Sequence, residues 1–230
     1  YEISECLVGS EMCIRDSFTE RIIQRYHSLR KGLLSEESLY HYIDETLDFI
    51  GPALEKAKYL MNEDEIREMF EKLIVNSFDS RKIEKIHPSF SDIIQQMSPI
   101  DAQNLKCFSV EENLPICEIR MELEKGGHRI LQTNIFCSNK FCDSIEQQSI
   151  SLSSLSRMGL ISIAYDQYLT DDSVYKIFDS LPIVVDFKNQ IEAANKSNNS
   201  NQKFDLQKGV AKLTPVGKAF IDVCLRPLPT

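Results

Sequence analysis

The chain has 230 residues, 42% of them apolar and 27% charged, with a formal net charge of −9. Length and balance are those of an ordinary globular protein of one or two domains with a real hydrophobic core. No apolar run approaches the ~20 residues that a membrane helix needs. The longest candidate, Leu181 to Val185, is broken by Pro182 and followed by Asp186, so a membrane partner is excluded and a soluble chain is expected.

The first seventeen residues, YEISECLVGSEMCIRDS, have no starting methionine, no clear period and none of the basic-then-apolar build of a signal peptide. The string CLVGSEMCIRDS resembles a translated sequencing-adapter read-through. Tyr1 to Ser17 is therefore read as a non-native tail, ahead of an incomplete native N-terminus. The tail holds Glu2, Glu5, Glu11, Asp16 and Arg15, a net −3, so −9 less −3 leaves −6 for the rest. A mildly acidic chain is a poor general binder of nucleic acid. Without Cys6 and Cys13, five scattered thiols remain: Cys107, Cys117, Cys137, Cys142 and Cys224. An odd, scattered set does not form a disulfide framework and fits a reducing cytoplasm.

Residues 18–108 read as a helical region. Leu39, Ile43, Leu47, Ile50, Leu54, Ala57 and Met61 form one helix face, interrupted by Gly51-Pro52. Asn62 caps the next helix and Glu65 closes a capping box; Ile66, Met69, Phe70, Leu73 and Ile74 face inward. A third helix opens at His87-Pro88 and buries Phe90, Ile93, Ile94 and Met97. A fourth starts at Ser98-Pro99 and buries Ala102, Leu105 and Phe108.

Residues 109–230 read as an α+β region. LPICEIRMEL, Leu114 to Leu123, alternates like a strand, and Pro115 puts it at an edge or a start. Gly126-Gly127 is a turn. RILQTNIF is a strand or a short helix, its period deciding neither. SISLSSLSRMGLISI predicts a helix that buries Ile150, Leu152, Leu155 and Met158 and ends at a left-handed Gly159, before a strand from Leu160. Ile183 to Phe187 is apolar and β-branched. Ala193 to Lys203 is a polar flexible loop, GVAKL a returning strand, and Thr214-Pro215 starts a last helix burying Phe220, Ile221 and Cys224. A helix, a strand, a long loop, a second strand and a closing helix resemble the end of a winged helix, with the loop as the wing. The expected fold is mainly α, α+β: an N-terminal helical region packed on a C-terminal winged-helix-like unit.

Four segments, in order, resemble the abortive-infection alpha family, a domain-of-unknown-function family. They are EDEIREMFEKLIVNSFD, KIHPSFSDIIQQMSPIDAQNL, LSSLSRMGLISI and LTPVGKAFIDVCL, and the likeness runs from about Asn62 to Leu225. The chain departs from the family's pattern in having Phe70 where a tryptophan is common and in its long Asn/Ser stretch. The resemblance implies a bacterial or archaeal origin and a place in phage defence; it implies no mechanism.

Candidate chemistry is sparse. His41, Asp44, Glu45 and Asp48 have spacing that holds a metal, but no second histidine joins them and a solvated helix face explains them. Cys137 and Cys142 would need His128 and Cys117 to complete a zinc site; small buried thiols are the plainer reading. His87, with Asp79, Arg81 and Asp101 nearby in sequence, lacks any paired nucleophile and is expected to bond the backbone at a helix start. Gly126-Gly127 lacks the lysine and spacing of a phosphate loop. No cofactor or metal is expected.

The sharpest site hypothesis is DNA. On a recognition helix Ser151, Ser154 and Arg157 would face a groove, and Lys203, Lys208, Lys212 and Lys218 would meet phosphates. From Ser151 onward nine Lys/Arg stand against eight Asp/Glu, a net +1, which leaves −7 for residues 18–150; this is not a basic patch. The expected function is a non-enzymatic, abortive-infection-like protein acting through a host or phage protein partner. A winged-helix transcription regulator and a nuclease or other enzyme are the alternatives.

Overall fold

A computed structural model describes residues 64–77, 82–198 and 200–226. The tail at 1–17, the stripe from Leu39 to Met61, the Gly51-Pro52 break, the His41 group, the Asn62 cap, and Asp79 and Arg81 lie outside the described residues. The chain mixes helix and strand. Chain contacts divide the described residues into two compact units, one formed by those up to Ala102 together with those from Lys218 to Arg226, the other by those of Gln103–Gly217.

In the first unit, helix α1 (Asp64–Ser77) opens with Asp64 and Glu65, which suit the positive helix start. Ile66, Met69, Phe70, Leu73 and Ile74 are buried as the period predicts. After a 3-10 turn (Ile83–Lys85) come α2 (Phe90–Gln96) and the start of α3 (Pro99–Val110). Ser98 and Asp101 cap α3 reciprocally: Ser98 N–H donates to Asp101 Oδ2 at 2.9 Å, and Asp101 N–H to Ser98 Oγ at 3.2 Å.

Two of the four buried polar residues of α1, Lys72 and Asn76, are illegible from the period and have a plain cause. The described residues close with a π-helical turn, Ile221–Leu225, in which Arg226 N–H reaches back five residues to Ile221 O. The last carbonyls of a helix have no partner within it. Lys72 Nζ donates to Leu225 O at 2.7 Å and Asn76 Nδ2 to Val223 O at 2.6 Å. Phe90 meets Phe220 edge-on, ring centres 5.2 Å apart. Asp222 receives Lys82 at 2.9 Å and Lys85 at 2.7 Å. Burial pushes the Asp222 carboxyl up, but these lysines outweigh it and hold it below its ordinary value. A lowered carboxyl stabilises the fold above the ordinary aspartate range, about 3.9, and that contribution disappears as pH falls through the folded value. Asp222→Asn is therefore expected to lower the melting temperature at pH 7, with the gap to wild type closing in thermal melts run stepwise down to pH 3.

The second unit is built on a four-stranded antiparallel sheet of order β2-β1-β4-β3: β1 (Asn113–Glu122), β2 (His128–Ile135), β3 (Ile161–Ala164) and β4 (Lys203–Leu213). RILQTNIF is thus mostly strand. Gly126 and Gly127, at φ 86 and 81, make the β1–β2 turn, closed by Leu123 N–H to Gly127 O at 3.0 Å. β1 is central, not an edge, yet Pro115 keeps to the rule. Pairing with β2 begins only at Cys117↔Ile135, so Pro115 lies where β1 has β4 as its one neighbour.

Helix α4 (Ile145–Arg157) precedes β3. Between β3 and β4 lie a 3-10 turn (Asp172–Tyr175), a short α5 (Lys176–Asp179) and α6 (Pro182–Asn198). The expected flexible loop is corrected here: Ala193 to Asn198 is helical, and so is Ile183 to Phe187. Val184 and Ile191 are buried and Phe187 packs on the same core, which is helical spacing. Pro182 at the first helical position starts it. One core cluster joins Cys117, Ile119 and Ile135 of the sheet to Tyr175, Phe178 and Val184. Helix α7 (Pro215–Phe220) closes the unit and leads into the π-helical turn.

Candidate partner-binding surface

The RMGLI and LTPVG segments lock onto each other. Gly159, at φ 75, ends α4, and Leu160 N–H returns to Leu155 O at 3.0 Å. Thr214 then caps α7 and grips that end: its N–H donates to Leu160 O at 3.0 Å and its hydroxyl to Gly159 O at 2.6 Å, while Gly217 N–H donates to Thr214 Oγ1 at 2.9 Å.

This junction fixes the rotation of α4, and the outcome differs from the period. Leu152 and Leu155 are buried as expected, but Ile150 is 70% exposed. Polar residues turn inward on both flanks. On one flank Ser149 Oγ donates to Thr133 O at 2.7 Å. Asn134 sits beside it at φ 55, the single non-glycine positive φ among the described residues. Its backbone N–H donates to Tyr165 Oη at 2.8 Å, its Oδ1 accepts from Tyr165 Oη at 2.9 Å, and its Nδ2 donates to Ser153 Oγ at 2.9 Å. These bonds hold a conformation that L-residues otherwise avoid. Gly209 makes room for the Tyr165 ring, since a Cβ there would stand 2.6 Å from Tyr165 Cδ1.

On the other flank Gln148 is buried and donates through Nε2 to Cys142 O at 2.6 Å and to Asn139 O at 3.4 Å. Asn139 Nδ2 donates to Asn104 Oδ1 of α3 at 2.8 Å, and Asn139 Oδ1 accepts from Phe141 N–H at 2.9 Å. Phe108 and Phe136 stack at 6.2 Å beside them. The segment 136–144 is thereby tied to both α3 and α4. It displays Phe141, 91% exposed; Val110, at the end of α3, is 90% exposed. Phe141, Val110 and Ile150 are the three most exposed of the large apolar residues described, and sequence reasoning missed them, because the period put Ile150 inside and gave no role to the others.

The residues proposed for DNA fall out as follows. Ser151 is 3% exposed and faces the interior of the unit. Ser154 is half-buried and Arg157 exposed on the outer side of α4. Lys208 is bound to Asp172 at 2.8 Å and lies 5.4 Å over the Tyr175 ring. Lys212 donates to Gln167 Oε1. Lys203 and Lys218 are exposed. Each of the two central lysines, Lys208 and Lys212, is engaged by the segment that follows β3.

The other candidates have local roles. His87 Nδ1 accepts from Ser89 N–H at 3.2 Å and lies 2.8 Å from Ser89 Oγ, at the start of α2. Cys117 and Cys137 are thiols whose pKa values burial pushes up to about 12 and about 11, the nearness of Cys137 adding to the rise at Cys117. Cys142 Sγ contacts Ser144 O at 3.6 Å. Among the described residues no three His, Cys, Asp or Glu side chains are grouped to hold a metal ion, and no helix is long and apolar enough to cross a membrane.

These features define a mixed helix-and-strand protein with a four-stranded antiparallel sheet, a helix with polar inward flanks, and outward apolar side chains on the elements around that helix. The chain belongs to the family described as abortive infection alpha, whose sequence profile matches residues 17–224. No curated protein matches it. A solved structure of an uncharacterized protein from the hydrocarbon-degrading marine bacterium Alcanivorax borkumensis SK2 is similar at 11% identity, over 64% of this chain and 96% of that chain. Its TM-score is 0.38, too low to define a common fold.

Proposed function

We propose that this chain serves phage defence by binding a protein partner, of host or phage origin, with no chemistry of its own. The observation that carries this reading is the outward set Phe141, Ile150 and Val110, on elements that buried hydrogen bonds hold together. Apolar side chains carried on a backbone that is already braced spare the cost of ordering that backbone on binding, which suits anchors of a protein interface. Family membership supplies the setting. The free thiols among the described residues fit a cytoplasmic site of action.

The second reading is a winged-helix regulator. It is favoured by the order β1-β4-β3 with α4 leading into β3, an order a winged helix shares. The helical link between β3 and β4 stands where that reading needs a wing. Titration of the full chain against mixed duplex DNA over a salt series separates the two. The protein-partner reading expects weak or no binding at low salt. Tight binding that falls steeply with salt means several phosphate contacts and replaces it with the regulator.

A further inference from the structure

Among the buried polar atoms of the described residues with no hydrogen-bond partner on the protein are Asn104 Nδ2 on α3 and Gln148 Oε1 and Ser151 Oγ on the inner flank of α4. The amide orientations follow from the backbone. Phe141 N–H needs an acceptor, which fixes Asn139 Oδ1. Asn139 Nδ2 is then a donor, and Asn104 presents Oδ1 to it. Asn104 Nδ2 is left as an unused donor. Gln148 Nε2 donates to two backbone carbonyls, so its Oε1 is left as an unused acceptor. Ser151 is three residues after Gln148 on α4 and therefore shares its flank, one turn along. All three residues are more than nine-tenths buried. A sealed polar atom without a partner costs about 1–3 kcal/mol, and three in one region would be an unusual concentration.

We propose that this flank holds ordered water, accepting from Asn104 Nδ2, donating to Gln148 Oε1 and bridging to Ser151 Oγ. The donor, the acceptor and the two-way hydroxyl are the complement that a buried water with about three hydrogen bonds requires. The water joins α3 to α4, the two helices that Asn139 and Cys142 tie to the segment 136–144, so it belongs to the brace behind Phe141. Ser151 is then a water ligand, not a reader of a DNA groove.

The test has two readouts on the full chain. A crystal structure at a resolution that shows ordered solvent is expected to place a water within hydrogen-bond distance of Gln148 Oε1 and Asn104 Nδ2; a dry site overturns the proposal. Melting of Ser151→Ala is compared with Ser154→Ala, which carries the same gain in helix propensity. A bridged hydroxyl predicts a melting temperature about 2–4 °C lower for Ser151→Ala than for Ser154→Ala. An orphan hydroxyl predicts an equal or higher one, because its removal relieves a buried unsatisfied group, and that result rejects the bridge.

Discussion

Gly217→Ala is expected to be the most damaging glycine-to-alanine change among the described residues. A Cβ at Gly217 would stand 2.0 Å from Leu160 O and 2.9 Å from Leu213 Cδ1. The first neighbour is backbone and cannot rotate away. Leu160 O also accepts from Thr214 N–H and Thr214 Oγ1, so shifting it breaks the bonds that join α7 to the end of α4. Overpacking of about 1–3 kcal/mol and the loss of two or three hydrogen bonds at about 1 kcal/mol each put the cost at about 3 kcal/mol or more. For a chain of this size that is a fall of roughly 6–12 °C in melting temperature. Gly159→Ala is the control. It meets nothing within 4 Å but must hold φ 75, so its cost is conformational, about 1–2 kcal/mol. Calorimetry should rank Gly217→Ala well below Gly159→Ala; the reverse order would mean that the α7–Leu160 approach is looser than described.

The same junction shows what the sequence makes legible. Gly159, Thr214 and Pro215 act within a few residues of themselves, so helix ends could be read locally. The inward faces of α1, α2 and α3 followed their period for the same reason. Helix α6 was missed because Val184 and Val185 look like strand residues and its end is rich in Asn and Ser. Tertiary packing of Val184, Phe187 and Ile191 overrides that local preference. The inward polar flanks of α4 are beyond any period, since their partners, Asn139 and Cys142 or Thr133 and Asn134, are supplied by other segments. Lys72 and Asn76 are the same lesson in α1, buried because a π-helical turn nearly 150 residues later exposes carbonyls that need donors. The candidate surface was illegible in consequence: once Gln148 and Ser151 turn inward, Ile150 must turn outward.

Phe141→Asp carries the largest expected effect on function. The side chain is exposed and its backbone is held by Asn139, so the change should leave stability within about 0.5 kcal/mol of wild type. A charge placed at an apolar anchor of an interface costs 2 kcal/mol or more, about 30-fold in affinity. Ile150→Asp, on α4, is expected to act in the same direction. The direct measurement is plating efficiency of a phage panel on bacteria that express the full chain, wild type against Phe141→Asp and Phe141→Asp/Ile150→Asp, with melting curves confirming that each folds. The partner-binding account predicts that wild type lowers plating and that the double variant, folded and equally abundant, restores it. Undiminished protection by the folded double variant would contradict it and move the action of this protein to another part of the chain.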